Sequence, residues 1–507
     1  MPEPTLSLAM IVKNEQYNLY TCLYQVCDIV DEIVIVDTGS TDKTVEVAEQ
    51  FNASVYHYKW NENFSAARNF SLKKCNGKWI LVLDADEFID SPMKYKVREL
   101  IDRNDFVGFN FEQFSYLNKD VTPDFRLMPV LRLFPNHPSL RFKGMVQEKI
   151  ICNDMKLNFK EINSSVRIWH YGFIDVFHPV KEKYKRDLNI YLRNLKRNPK
   201  EPYIYFFIAL QYVSLGRYDE AIKYLDCAIK YSSSGFCYSP CLFSTYAGIL
   251  NKLGRYNEAK KMAELALSKD SHMAEASFNL GEAMRNLGEC RNAITMFEHA
   301  IKNHEKFLFF QDRSKGTWRA WSEIGLSYVR LKQIKDAVGA FLKSLSIKPF
   351  YPPLMICLAY LYKEMDDLEN TEKYFKSAHE QEVTKVDLAR ELYNIYRKTG
   401  RLNLAANTLE NVYLYNTGNR DLLLDTARAF DEAGDNHKAI NYYNSYIKEQ
   451  LPADPEVYLR RGICLFRTGS VKKARDDFET CSEKNPDLLR KVFLEELVRP
   501  VDRKSVV

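Results

Sequence analysis

The chain contains no C-x-x-C pair and no compact, even-numbered cysteine framework; its eleven cysteines are scattered. That excludes a zinc ribbon or a disulfide scaffold and points to reduced, mostly buried thiols in a cytoplasmic protein. Long hydrophobic runs are missing too. Nothing approaches the ~20 apolar residues of a membrane span, and no basic-then-apolar leader opens the chain. An excess of one charge is also lacking: 72 Lys and Arg stand against 67 Asp and Glu, a net +5, so no nucleic-acid footprint is present. Neither G-x-x-x-x-G-K-[ST] nor G-x-G-x-x-G occurs, which removes a P-loop and a dinucleotide fold.

What is present is length for about three domains in 507 residues, and an unusual wealth of aromatics, 32 Tyr and 30 Phe. Trp79 to Leu83 is a continuous apolar run that reads as a strand buried on both faces, and it ends in Asp84, Asp86 and Glu87. Ligands in open α/β sheets lie outside the carboxyl ends of the strands. Clustered carboxylates repel unless a cation lies between them, and hard oxygen ligands favour Mg²⁺ or Mn²⁺ completed by substrate phosphates. An isolated D-x-D reads more plainly as an acidic turn, so its context decides.

Upstream, Leu6 to Val12 reads as a buried strand followed at once by Lys13-Asn14-Glu15. Residues 16–30 have helical spacing, Glu32 to Val36 is a second strand running into Asp37-Thr38-Gly39-Ser40-Thr41-Asp42, and Lys43 to Phe51 reads as a helix. Ser54 to Tyr58 is a further short strand. This alternation predicts a doubly wound parallel sheet with polar residues at three strand tips.

VKNE (Val12 to Glu15), VDTGSTDKT (Val36 to Thr44), W-x-x-x-F-S-x-A-R-N (Trp60 to Asn69) and LDADE (Leu83 to Glu87), in that order and spacing, resemble the nucleotide-sugar domain of family 2 glycosyltransferases, the GT-A fold. The resemblance implies that the loop of Val12, Asn14 and Glu15 lines the nucleotide and that Asp37, beside Gly39, meets the base. It implies further that Arg68 lies near the donor, that Asp84 and Ala85 line the ribose side, and that Asp86 holds the metal. A carboxylate facing a uracil-type edge is sensible, since it accepts the imide N–H. The first tip has a plainer alternative, an ordinary loop with Glu15 capping a helix.

The resemblance continues to about residue 200. Leu131 to Phe134 and Gly144-Met145-Val146-Gln147-Glu148 resemble an acceptor-side segment that often reads G-x-V-H-E, with Gln147 at the His position. Glu148 is the candidate general base; its structural alternative is a salt bridge to Lys149 or Arg141. His170, after the strand-like Val166 to Ile168, is implied as the ligand completing the metal or diphosphate site, whereas His178 has no such support. Val180 to Lys196 reads as a basic helix whose Lys185 and Arg186 either reach the diphosphate or form a solvated face.

From about Pro199 the pattern becomes an all-helical repeat. LGRYDEA, LGRYNEA, LGECRNA, LKQIKDA, MDDLENT, TGRLNLA, AGDNHKA and TGSVKKA recur at ~34 residues, the tetratricopeptide period. Gly216, Gly254, Gly288, Gly400, Gly434 and Gly469 end the first helix of a pair, where a left-handed residue is needed. Lys332 and Asp366 replace glycine in two turns, which are expected to be strained or differently shaped. The longer spacing before the fourth repeat predicts an extended loop near Lys306 to Lys315, and Lys491 to Leu497 reads as part of a capping helix. Most aromatics at helical spacing are core; the remainder suit a peptide groove.

The expectation is an α/β GT-A domain over residues 1–198, a mostly parallel sheet, then an all-α tetratricopeptide solenoid over 199–490 and a cap and tail over 491–507. Joined this way, the modules resemble bacterial enzymes that glycosylate peptides or proteins, including glycocin S-glycosyltransferases. The implied reaction is metal-dependent, inverting transfer from a nucleotide-sugar, by preference a UDP-sugar, to Ser, Thr or Cys of a polypeptide. A carbohydrate or lipid-linked acceptor is the alternative within the enzyme class, and an interaction scaffold with an inactive GT-A domain the alternative outside it. A homodimer is compatible with either.

Overall fold

The computed structural model describes residues 5–102, 106–116, 125–154, 156–172, 180–233, 235–305, 312–449 and 453–488. His178, the first part of the expected loop near Lys306 and the expected cap at Lys491 to Leu497 lie outside them. The chain divides into two compact units, Met1–Lys348 and Pro349–Val507, a division that falls inside the helical repeats.

The first unit begins with β1 (Leu6–Val12), α1 (Gln16–Val26), β2 (Glu32–Asp37), α2 (Thr44–Gln50), β3 (Ser54–His57), α3 (Phe64–Leu72) and β4 (Trp79–Val82). β1 forms because its residues are apolar almost without break, and α1 covers it with Leu19, Cys22, Leu23 and Val26 at helical spacing. α3 starts where the Asn63 side chain accepts from the Ala66 N–H at 3.1 Å, satisfying one of the free donors of the first turn. There follow β5 (Glu87–Ile89), α4 (Lys96–Ile101), β6 (Val107–Tyr116), β7 (Phe125–Pro135), β8 (Leu140–Lys143), β9 (Lys149–Cys152), β10 (Lys160–His170) and α5 (Val180–Arg197).

The main sheet has the order β3-β2-β1-β4-β7-β6-β10-β5. Its first four strands are parallel, as expected. Beyond β4 the sheet departs from the doubly wound pattern. β7 runs antiparallel to both β4 and β6, β10 is parallel to β6, and β5 closes the edge antiparallel to β10. The inserted β7, the edge strand β5 and the end of β10 bring Arg132, Glu87 and His170 to the region of the β4 tip. β8 and β9 form a separate hairpin that packs on α3.

Among the described residues eight helix pairs follow. The first unit holds α6 (Pro202–Ser214) with α7 (Tyr218–Tyr231), α8 (Ser239–Lys252) with α9 (Tyr256–Lys269), α10 (Ala274–Asn286) with α11 (Cys290–Asn303), and α12 (Trp318–Arg330) with α13 (Ile334–Ile347). The second unit holds α14 (Pro352–Glu364) with α15 (Leu368–Gln381), α16 (Val386–Lys398) with α17 (Leu402–Tyr415), α18 (Arg420–Ala433) with α19 (Asn436–Glu449), and α20 (Pro455–Arg467) with α21 (Val471–Lys484). In seven pairs a fully buried alanine sits where the second helix meets the first, from Ala221 to Ala474, and Thr371 takes that place in the remaining one. Lys332 (φ 59°) and Asp366 (φ 56°) adopt the same left-handed conformation as the turn glycines. Their closing bonds, Gln333 N to Tyr328 O at 2.9 Å and Asp367 N to Tyr362 O at 3.0 Å, match Arg217 N to Tyr212 O at 2.8 Å. These two turns are therefore strained rather than differently shaped.

Between α11 and α12 the described part of the insertion, Asp312 onward, is docked rather than extended. A 3-10 turn over Arg313–Gly316 packs on α10, α11 and α12 and also touches β7. Among the described residues no helix is long and apolar enough to cross a membrane. None of the eleven cysteines is in a disulfide.

Candidate active site

The tips of β2, β1 and β4 are neighbours in the sheet, so their loops meet. Asn14, in a left-handed conformation (φ 57°), donates its N–H to Ser40 Oγ at 2.9 Å, and its Oδ1 accepts from Thr41 N at 2.8 Å. Val12 O accepts from Thr38 N at 3.0 Å. Glu15 is the residue before α1, but its carboxylate accepts from Asn18 Nδ2 at 2.8 Å instead of capping the helix backbone. Asp37 is buried, and its two oxygens accept from the Gly39 and Ser40 amides at 3.1 and 3.0 Å. Gly39 has φ 106° with open space around it, so what it supplies is backbone freedom. The exposed His57 ring reaches Asp37 Oδ2 at 3.4 Å from the adjacent tip of β3.

At the end of β4 the carboxylates are held by two buried arginines. Arg68 Nη2 bonds Asp84 Oδ1 at 2.6 Å, and Arg132 Nη2 bonds Asp84 Oδ2 at 3.0 Å and Glu87 Oε1 at 2.5 Å. Gln113 Nε2 also donates to Glu87. Burial disfavours the Asp84 carboxylate, but Arg68 and Arg132 outweigh it and hold its pKa well below the usual range. Burial wins at Glu87, with Asp84 adding repulsion, so its pKa rises although Arg132 is beside it. Arg68 Nη1 and Arg132 Nε are buried and have no hydrogen-bond partner among the described residues. Ala85 points into the apolar core, unlike its two neighbours.

Asp86 and His170 meet across β5 and β10, with Asp86 Oδ2 3.3 Å from His170 Nε2. Ser115 Oγ lies 3.0 Å from His170 Nδ1 and orients the ring. Gly172 shapes this corner. A Cβ there would lie 2.2 Å from Asp86 Oδ2, 2.5 Å from His170 Nε2 and 2.9 Å from Lys183 Nζ. Three polar groups thus converge on one point that only glycine leaves open. Burial opposes ionisation of Asp86, but His170 and Lys183 outweigh it and lower its pKa. Among the described residues no set of three or more His, Cys, Asp and Glu forms a ready metal cage.

Glu148 does form a salt bridge, but neither Lys149 nor Arg141 is the partner: Arg68 Nε lies 2.5 Å from Glu148 Oε1. Lys149 instead donates to Tyr238 Oη at 2.9 Å, in the second repeat. Lys185 and Arg186 remain at the surface, paired with Glu182 and Asp187. Lys183, one turn nearer the sheet, is the α5 residue that reaches the site. Lys183, His57 and the partnerships of Arg132 with Glu87 were not foreseen. For His57 a signal existed, since β3 ends directly opposite Asp37.

The description of glycosyl transferase family 2 matches residues 7–167. Tetratricopeptide descriptions match residues 202–234, 275–306, 319–351 and 424–485. The chain carries a family 2 glycosyltransferase domain followed by tetratricopeptide repeats. A TPR repeat-containing protein of Synechococcus elongatus is 35% identical over 174 residues, 33% of this chain and 42% of its own length. The SPbeta prophage-derived glycosyltransferase SunS of Bacillus subtilis is 28% identical over 231 residues, 45% of this chain and 53% of its own length. The chain thus spans about half the length of these curated relatives. Among solved structures, the C-terminal part of a TPR repeat-containing protein from Cytophaga hutchinsonii aligns with 48% of this chain and 94% of its own, at 19% identity and a TM-score of 0.37.

Proposed function

We propose that this chain is an inverting, divalent-metal-dependent glycosyltransferase that moves a sugar from a UDP-sugar to a Ser, Thr or Cys side chain of a polypeptide held by its repeats. The observation that carries the reading is the meeting of three adjacent strand tips beside Arg68, whose Nη1 is buried without a partner among the described residues. A buried, charged donor lacking an acceptor suits an anionic or carbonyl-bearing ligand. The loop from Val12 through Asn14 and Glu15 and the Asp37–Gly39 turn flank the nucleotide. Asp37 meets the base with lone pairs its own turn leaves unused, and Asp84, fixed by two arginines, faces the ribose.

Asp86 and His170 fit a Mg²⁺ or Mn²⁺ ion: one carboxylate oxygen and one imidazole nitrogen converge on the gap left by Gly172, leaving other positions to diphosphate and water. Ser115 on Nδ1 is the outer partner such a histidine needs. The ion, when bound, neutralises charge on the diphosphate leaving group. Lys183 adds a fixed positive charge to the same corner. Glu148, held by Arg68 through one oxygen, takes the acceptor proton through the other. A thiol acceptor needs this help less, being partly thiolate near neutral pH. Eleven cysteines, none in a disulfide, favour work in a reducing compartment such as the cytoplasm.

The deciding experiment incubates the full chain with a panel of nucleotide sugars and Mn²⁺ and measures released nucleotide. Release from a UDP-sugar that stops in EDTA is expected; no release from any donor would remove the reading.

A further inference from the structure

The segment carrying Glu148 is gripped from two sides. On one side α3 holds it: Phe64 N donates to Met145 O at 3.0 Å, and Ser65 Oγ donates to Gly144 O at 2.5 Å. On the other side lie the repeats. Val146 packs into the apolar cluster built by α5 and the first two helix pairs, which includes Tyr191, Ile204, Phe206, Phe207 and Tyr238. Lys149 Nζ bonds Tyr238 Oη at 2.9 Å and lies 5.4 Å from the same ring's centre. Tyr238 has little freedom to yield. It is 8% exposed and packs against Phe206, Phe207 and Phe236 at 6.0, 5.6 and 5.7 Å between ring centres.

The backbone between these grips is not relaxed. Gln147 has φ 52°, a left-handed conformation that a side chain disfavours and that its surroundings must hold. Glu148 lies between strained Gln147 and anchored Lys149, with its carboxylate on Arg68.

We infer that Tyr238 is a positioning residue: through Lys149 the second repeat holds the Glu148 loop in its reactive geometry, so the repeats complete the acceptor side of the site as well as binding acceptor. This rests on the glycosyltransferase reading above. An acceptor that engages the first repeats thereby acts on the element that places the general base, while the donor-binding tips of β1, β2 and β4 lie on other elements.

The test uses the full chain with Tyr238→Phe, which removes the hydroxyl and keeps the ring, alongside Lys149→Met and the double variant. Amide exchange across residues 144–149 is expected to speed up about tenfold. The kcat for transfer from the UDP-sugar used by the wild type to a cysteine- or serine-containing peptide should fall about tenfold, with donor KM unchanged. The double variant should be no worse than either single one, since both break one link, and Lys149→Arg should restore most of the loss. Wild-type exchange in Tyr238→Phe overturns the inference, and so does faster exchange with unchanged kcat. If the wild type uses no donor at all, the glycosyltransferase reading fails while the exchange measurement still reports on the link.

Discussion

One guanidinium joins the tip of β4 to the segment between β8 and β9: Arg68 bonds Asp84 through Nη2 at 2.6 Å and Glu148 through Nε at 2.5 Å. The two carboxylates come from segments 64 residues apart in the chain, and a single α3 side chain fixes both. Arg68→Met leaves the largely buried Glu148 carboxylate, 11% exposed, without its cation, while Asp84 keeps Arg132. Removing one partner of a buried pair costs about 3 kcal/mol or more, to be read as a lowered urea midpoint at unchanged slope. Arg68→Lys should not restore activity, because an ammonium cannot reproduce the forked contact with two carboxylates. Full transfer by the lysine variant would show that only charge matters at this position.

Gly172 gives a second, sharper separation of stability from function. A methyl group there collides with Asp86 Oδ2, His170 Nε2 and Lys183 Nζ, all of them ends of side chains that can turn away. Gly172→Ala should therefore change stability by less than ~1 kcal/mol, yet disperse the groups proposed to hold a metal. Calorimetric titration with Mn²⁺ in the presence of UDP should show affinity lost in the variant with its melting temperature nearly intact. Unaltered Mn²⁺ affinity would move the metal away from Asp86 and His170.

Much of this arrangement was legible beforehand because it is written in local patterns. The apolar run Trp79 to Leu83 ending in acids, the tips after Val12 and Val36, and the eight repeat turns each declare themselves within a few residues. What stayed hidden depends on partners far apart in the chain. Apolar runs cannot say whether a strand is parallel or antiparallel, so the insertion of β7 between β4 and β6 carried no signal, and with it Arg132 beside Glu87. The sequence offers Glu148 as a general base, with an ion pair to Lys149 or Arg141 as the alternative, but the ion-pair partner in the fold, Arg68, lies 80 residues away. Lys183 carries no sequence signal of its own because the basic residues along α5 look alike, and only packing of the helix decides which one turns inward.

The turns at Lys332 and Asp366 show where the repeats carry strain. Both residues sit in the left-handed region with the hydrogen bonds of a glycine turn. A left-handed side chain costs ~1 kcal/mol, which glycine removes, less what glycine adds to the freedom of the unfolded chain. Lys332→Gly should consequently stabilise the protein by up to ~1 kcal/mol, while Gly254→Lys should destabilise it by a similar amount. Chemical denaturation of the pair, run side by side, checks both signs.

The inserted turn ties repeats to sheet, and its anchor is sensitive to pH. Burial works against ionised Asp312, but Lys315, Arg319 and Ser314 outweigh it, so its pKa is lowered. The folded value then lies below the unfolded one of ~3.9. Stability from Asp312 is full above the unfolded value and is lost as pH falls through it toward the folded pKa. Asp312→Asn should lose ~1–2 kcal/mol at pH 7, with the gap to wild type closing in acid below ~4. A gap that stays constant with pH would show that Asp312 acts by shape alone.

The last prediction concerns where the chain can be cut. Leu188 and Tyr191 of α5 are buried in one cluster with Ile204, Phe206 and Phe207 of α6 and with Tyr238. A cut after Asn198 exposes that face, and removes Tyr238 from Lys149 as well. A cut after Lys348 follows the division between the compact units and keeps this cluster whole. Residues 1–348 should therefore be monomeric and cooperative in unfolding, and should hydrolyse the donor as the full chain does, whereas 1–198 should aggregate. If the repeats after Pro349 hold a long polypeptide acceptor, the 1–348 piece should keep kcat on a short peptide and show a raised KM for the long one. Equal efficiency on both acceptors would mean that the second unit does not bind acceptor, and its repeats would then belong to a different partner.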